Sequence, residues 1–320
     1  MNRNKAFQNS RFEKFIPEFA QYLELRGYAK RSIETYIGDT RMFFGYLHDE
    51  KPEIERIDQV TRKDALDYQI SLYSHEDEKG KKYGVGTQIR KIVTVKIFFR
   101  FLIHNDYLLF NPAADLEIPK DSKKLPRNIL TEKEMVEILQ TPDMNTFEGI
   151  RNRAILEVLY STGIRVTECA NLTVYDVMED EGVIRIIEGK GRKDRMVAIG
   201  KTALRFLRYY LVEVRSRFHK AEDQTTEIFL KGTGQKMTRH DLCHLVQNIL
   251  AKTSIKKKVS CHTFRHTCAT HLLKHKANIR YIQQQLGHAS LQTTQKYLQV
   301  EISDVKAVHR RCHPREKMDQ

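Results

Sequence analysis

HTFRHTCATHLLKH (residues 262–275) and, ten residues further on, LGHASLQTTQKYLQV (286–300) are the two stretches whose reading decides the fold. In the first, His262 and Arg265 are three apart and His262 and His266 four apart, so on a helix they share a face. An imidazole beside a guanidinium suits a phosphodiester, whose non-bridging oxygens accept both a forked guanidinium and an imidazole N–H. A metal ion is the competing partner, because Cys261, His262, His266, Cys268 and His271 cluster here. The fixed charge of Arg265 repels a second cation, and HExxH and CxxC pairs are both lacking, which argues against metal. In the second stretch His288 follows Gly287 and stands nine residues before Tyr297. Alone, such a tyrosine is more often structural than reactive.

Upstream, RNRAILEVLYSTGI (151–164) has the pattern of a helix that stops near Gly163. Arg165 then begins a new helix, where backbone N–H groups attract anions. Glu168, three residues on, is placed to hold that guanidinium. GVIRIIE (182–188) and RMVAIG (195–200) are β-rich runs, and the GKGRKD between them suits a tight hairpin. The hairpin gathers Lys190, Arg192, Lys193 and Arg195 around two glycines that let the backbone approach a phosphate closely. Alone, a basic hairpin does not define a site. The pattern GxxxxGK[ST] is absent, which excludes a phosphate loop of that kind. Thr131 and Glu134 form a capping box that opens a helix. From about residue 201 onward the chain reads as mostly helical.

The first 110 residues read as helix. Phe12, Phe15, Phe19 and Tyr22 recur at helical spacing, as do Ile33, Tyr36, Ile37, Phe44 and Leu47, and then Ile89, Ile92, Val93, Phe99, Leu102 and Ile103. Ser32 is the predicted start of the second helix, beside Lys30 and Arg31. Thr61, with Asp64 three residues on, starts a third. SHEDEKGKKYG (74–84) is a predicted loop. Arg90, Lys91, Lys96 and Arg100 fall on the polar faces of the last of these helices, which can follow a phosphate backbone or simply face water. Asn111-Pro112 breaks the helix. IPKDSKKLPR (118–127) is a linker that, extended, reaches on the order of 30 Å. The predicted division is 1–115, a linker at 116–128, and a second domain at 129–320.

The 320 residues carry a net charge of +14. Residues 1–120 hold a net +2 and the remaining 200 a net +12, so the second domain carries the positive field and a polyanion is the expected partner. No apolar stretch is long enough to span a membrane, and the first residues lack a secretory pattern. Five cysteines, with no CxxC pair, fit a reducing cytoplasm better than a disulfide framework.

Taken in order, Arg165 in TGIRVTE, Lys190 in GKGRKDR, His262 and Arg265 in HTFRH, His288 in LGH and Tyr297 in TTQKYL resemble the catalytic set of the tyrosine recombinase, or phage integrase, family, and most closely its Xer-like branch. The ending VKAVHRRCHP is similar to the family's tail, and the N-terminal helices resemble its core-binding domain. The resemblance implies a mainly α fold: a helical core-binding domain, then an α+β catalytic domain with a small antiparallel sheet. It implies that Tyr297 attacks a DNA phosphate to give a 3′-phosphotyrosine. Arg165, Arg265 and His262 would hold the phosphate, His288 would assist, Lys190 would protonate the leaving oxygen, and Glu168 would support Arg165. No cofactor and no metal is implied. The implied partner is double-stranded DNA carrying a specific core site, met by Lys30, Arg31, Arg90, Lys96, Arg192 and Lys193. Residues 301–310, with Ile302, Val305 and Val308 at helical spacing, would dock on a neighbouring protomer in a homotetramer or heterotetramer on two sites. An arm-binding domain before the first helix is not expected. Resolution of chromosome dimers by a cytoplasmic, nucleoid-associated enzyme, integration or excision of a mobile element, and type IB topoisomerase activity all stay open at this point.

Overall fold

The computed structural model describes residues 11–76, 80–119, 128–187, 194–218 and 225–287. The chain divides into two compact units, Met1–Ser122 and Lys123–Gln320. In the first, a 3-10 turn at Glu13–Phe15 leads into α1 (Ile16–Leu25), followed by α2 (Lys30–Glu50), α3 (Arg62–Ser74) and α4 (Val85–His104). The aromatic stripes read from the sequence meet in one core. The rings of Phe19 and Phe44 each stand edge-on to Phe98 with centroids 5.3 Å apart, and Phe15 joins them at 6.4 Å. Edge-to-face pairs of this kind contribute about 1 kcal/mol each beyond the area they bury. The Thr61–Asp64 capping box opens α3 as predicted. α2 begins at Lys30 rather than Ser32: extended Ala29 occupies the cap position, and its carbonyl accepts from the Ser32 amide at 2.8 Å. Residues 75–76 and 80–84 are non-helical, with an isolated antiparallel bridge between Glu76 and Lys82.

A polar cluster lies inside this apolar unit. Asp39 of α2 accepts from Lys91 Nζ at 3.1 Å and from Thr94 Oγ1 at 3.4 Å, and it pairs with Arg90. The side chains of Lys91 and Asp39 are only 3% and 5% exposed. Burying this pair ties α2 to α4 at the cost of desolvating both charges.

The second unit opens with the Thr131–Glu134 capping box and α5 (Glu132–Gln140), then α6 (Phe147–Thr162) and the short α7 (Val166–Ala170). α6 is buried around most of its circumference by Ile150, Ala154, Ile155, Leu156, Val158 and Leu159, and it packs against later helices as the centre of the unit. The sheet has order β1 (Val177–Met178), β2 (Val183–Ile186), β3 (Arg195–Ala198), all antiparallel. The β2–β3 pair is the predicted hairpin. β1 was not predicted, because two residues are too few to show a period-two pattern. α8 (Lys201–Tyr209) runs through a π turn at Tyr210–Val214 into α9 (Arg215–Phe218). Last come α10 (Arg239–Leu250), α11 (Cys261–Lys274) and α12 (Ile279–Leu286). Among the described residues no helix is long and apolar enough to cross a membrane.

Asp39→Ala leaves the Lys91 ammonium buried without its carboxylate and is expected to cost about 3 kcal/mol or more of unfolding free energy. Urea denaturation followed by circular dichroism measures this; a loss below about 1 kcal/mol would mean that the cluster does not hold α2 to α4.

Candidate active site

α6 ends because Gly163 takes the left-handed conformation, with φ of 62°. A Cβ there would lie 2.7 Å from Leu286 Cδ2 and 3.2 Å from Cys268 Sγ, so glycine is demanded by packing as well as by the backbone. The chain turns and Arg165 becomes the cap residue of α7. Its amide donates to Glu168 Oε2 at 2.7 Å and its Nη1 to Glu168 Oε1 at 2.6 Å. Glu168 thus closes the first turn of α7 and grips the guanidinium of the same residue.

Glu168 also receives a second guanidinium. Arg195, the first residue of β3, donates from Nη2 to Oε2 at 2.8 Å and from Nη1 to Oε1 at 3.2 Å. The Glu168 and Arg195 side chains are 10% and 11% exposed. Burial pushes the Glu168 carboxyl up, but the hydrogen bonds and charges of Arg195 and Arg165 outweigh it and hold the group below the usual glutamate range. The arrangement leaves two guanidiniums around one carboxylate, with an excess of one positive charge.

α11 supplies the histidine and arginine that the sequence placed on one helical face. Arg265 is buried and donates to Gly163 O at 2.9 Å and Leu286 O at 2.6 Å. Arg165 Nη2 reaches Gly287 O at 3.3 Å. Both arginines are therefore seated on carbonyls at helix C-termini, where the end of the helix dipole favours cations. His262 stands exposed one turn before Arg265. Loss of water on its protein side is the leading cause that holds its pKa below the ordinary value, and Arg265, Arg239 and Arg165 add to it in the same direction. A neutral imidazole at neutral pH donates one N–H to an anion without adding charge.

α12 is fixed to the sheet. Gln285 donates to Ala198 O at 2.7 Å and accepts from Ala198 N at 3.1 Å, so its amide pairs with the outer edge of β3 as a strand would. Gly287 ends α12 with φ of 65°, and a Cβ on it would lie 2.6 Å from Arg195 Nε. The left-handed backbone favours glycine at 287, and a side chain there would have to displace the Arg195 guanidinium.

Arg165, Glu168, His262 and Arg265 are thus brought together. Lys190, Arg192, Lys193, His288, Tyr297 and residues 301–310 lie outside the described residues. Lys190 belongs to the connection between Ile186 and Arg195, which face each other as the last register pair of β2 and β3, and His288 follows Gly287 directly. Of the other candidate DNA contacts, Lys30 and Arg31 are exposed in the first turn of α2. Arg90 is paired with Asp39, and Lys96 Nζ donates to Ala114 O at 2.7 Å and Leu116 O at 2.9 Å. The His/Cys cluster is dispersed. His271 Nε2 donates to Leu130 O at 2.9 Å, which leaves Nδ1 to accept from the Tyr160 hydroxyl at 2.8 Å. Cys261 Sγ instead faces Cys243 Sγ at 3.6 Å. In the sequence Arg195 is one more hairpin cation, and nothing singles out Arg239 or Gln285. No local pattern marks Arg195 or Gln285, because their partners lie 27 and 87 residues away in the chain.

Comparison with known proteins gives the same domain order. Residues 128–303 match the phage integrase family and residues 16–106 the phage integrase N-terminal SAM-like domain. The chain is similar to the tyrosine recombinase XerC of Oceanobacillus iheyensis, 35% identical over 308 residues that cover 96% of this chain and 98% of that one. It is also similar to the tyrosine recombinase XerD of Staphylococcus haemolyticus, 32% identical over 305 residues, 95% and 99% of the two chains. The Tn1549 transposon integrase in complex with a circular-intermediate DNA shares the fold, with a TM-score of 0.71 at 20% identity over 92% of this chain and 98% of that one. The chain belongs to the phage integrase family and is a tyrosine recombinase, an enzyme of DNA strand exchange.

The Glu168 clamp carries a pH signature. A carboxyl held below its unfolded value stabilises the fold fully above that value, about 4.3 for glutamate, and the contribution is lost as pH falls through the folded pKa. Wild type is expected to be more stable than Glu168→Gln at neutral pH, with the gap closing in acid. Unfolding free energies measured along a pH series check this, and a gap that stays constant into acid would contradict the clamp.

Proposed function

We propose that this chain is an Xer-like site-specific recombinase that cleaves and rejoins duplex DNA at a short core site, with Tyr297 as the nucleophile. The observation that carries the reading is the seating of Arg165 and Arg265 on the carbonyls of residues 286–287, beside the neutral imidazole of His262. One phosphate meets two fixed guanidiniums and an N–H donor there, and the pentacoordinate transition state gains more from them than the ground state does. Tyr297 attacks phosphorus, a 3′-phosphotyrosine forms, and the 5′ oxygen departs with a proton from Lys190. His288 donates to the phosphate or takes the proton from the tyrosine hydroxyl. A free tyrosine titrates near about 10, so the surrounding guanidiniums favour phenolate character as well as phosphate charge. The phosphotyrosine conserves the bond energy, and a 5′-OH of the partner strand completes the exchange.

The active species in this reading is a homotetramer or heterotetramer on two sites, joined through residues 301–310. Lys30, Arg31, Arg90, Lys96, Arg192 and Lys193 meet the DNA backbone. For Arg90 and Lys96 this requires exchanging Asp39 and main-chain carbonyls for phosphate. The chromosomal role, resolution of dimers by a cytoplasmic enzyme at the nucleoid, is favoured over a mobile-element role by relatives named XerC and XerD that align over nearly their whole length.

Nicked duplexes of random sequence, incubated with the protein and resolved under denaturing conditions, test this. Wild type is expected to trap a covalent adduct whose recovered DNA converges on one sequence, and Tyr297→Phe to trap none. An adduct that persists in the variant places the nucleophile elsewhere, and no adduct from wild type on any duplex removes the recombinase reading.

A further inference from the structure

The strand that leads out of the basic hairpin carries a residue that the functional reading leaves unused. Arg195 opens β3 at the last register pair before the hairpin, and its guanidinium donates to both oxygens of the Glu168 carboxylate. The same carboxylate grips Arg165 through both the backbone and the side chain. The stem of Arg195 fills the space that Gly287 leaves open, with Nε, Cζ and Cδ each within 3 Å of where a Cβ would stand. The guanidinium end of Arg195 thus touches both the residue that orients Arg165 and the residue that precedes His288. Gln285 adds a parallel tie between β3 and α12.

We infer that Arg195 is a positioning residue for strand cleavage: from β3 it locks Glu168 against Arg165 and packs on Gly287, so that β3, the phosphate-binding arginine and the turn at Gly287 move as one body. This rests on the recombinase reading above. Arg195 does not touch the phosphate in this account. It acts by fixing the direction of Arg165, whose side chain is 31% exposed and is gripped by the same Glu168 carboxylate that Arg195 holds in place. Without Arg195, Glu168 keeps one cation where it had two, in a site that remains poorly hydrated, so protons compete for the carboxylate at a higher pH than in wild type.

The test compares wild type, Arg195→Ala, Arg195→Lys and Arg185→Ala on nicked duplexes trapped as adducts by the wild-type protein. Arg185→Ala breaks the Asp176 ion pair on the neighbouring strand and reports a purely structural loss in the same sheet. Arg195→Ala is expected to form adduct about 100-fold more slowly, the scale of a misplaced reacting group. Its affinity for the uncleaved duplex should stay within about 2-fold of wild type, and the acid limb of its pH–rate profile should move to higher pH. Arg195→Lys, which keeps charge and stem but not the fork, should fall between Arg195→Ala and wild type in rate. Arg185→Ala should leave the acid limb where it is in wild type. Adduct formation by Arg195→Ala at the wild-type rate overturns the proposal. So does a slowing whose pH profile is unmoved, because that is what a structural loss alone produces. If wild type traps no adduct at all, the recombinase reading fails and the proposal falls with it; if only the Arg195 variants behave as wild type, the reading stands and the proposal alone is lost.

Discussion

A site that binds a phosphodiester must concentrate positive charge before the substrate arrives, and guanidiniums held close together repel one another. In the proposed phosphate site of this protein the Glu168 carboxylate meets that constraint. It accepts from Arg165 on one side and Arg195 on the other, in a setting where water screens poorly, and it leaves the group with a net positive charge. Carbonyl oxygens at Gly163, Leu286 and Gly287 take N–H groups that the carboxylate does not. These are neutral acceptors, so they orient Arg165 and Arg265 without cancelling the charge proposed to meet a phosphate. The carboxylate and the helix-end carbonyls divide the work: one supplies compensation, the others direction.

The geometry of the backbone follows from this. Two helices must end at the same place for their terminal carbonyls to face the arginines, and both end on glycine in the left-handed conformation, at 163 and 287. The glycines are also where the chain passes closest to other elements: Gly163 against Leu286 and Cys268, Gly287 against Arg195. α12 is short, yet it is held at its C-terminus by Gln285 pairing with Ala198 and along its inner face by the buried Ile282 and Leu286. At the other end of α11, Leu130 donates to Thr267 and accepts from His271, which fixes the start of the second unit to the helix that carries His262 and Arg265. The site is therefore built where α6, α7, α11, α12 and β3 converge, and the small sheet serves chiefly to bring β3 to that point.

Much of this was legible in the sequence, for identifiable reasons. Both capping boxes on which helix starts were predicted, Thr61 with Asp64 and Thr131 with Glu134, form as read, because their partners are three residues apart. The stop at Gly163 and the start at Arg165 were readable for the same reason, as was the service of Glu168 to Arg165. Ser32 is not the helix start because the backbone decides the position: extended Ala29, with no side chain able to cap, takes it. What the sequence could not disclose are the contacts made across large separations. Arg195 looked like one more cation in a basic hairpin until the fold set its fork on Glu168, and Gln285 looked like one of three consecutive glutamines. The dispersal of the His/Cys cluster is of the same kind, since His271 and Cys261 share a helix but turn to different partners, Tyr160 and Cys243.

The central claim is that this charge-compensated cradle presents a DNA phosphate to Tyr297. The most direct measurement is to digest the covalent protein–DNA complex with protease and nuclease and locate the nucleotide by mass spectrometry, while the released strand is tested for its 5′ end. The account predicts a single modified peptide containing TTQKYLQV, with a 3′-linked nucleotide on Tyr297, and a free 5′-OH on the departing strand. A nucleotide on any other residue, or a linkage through the 5′ phosphate, would contradict it.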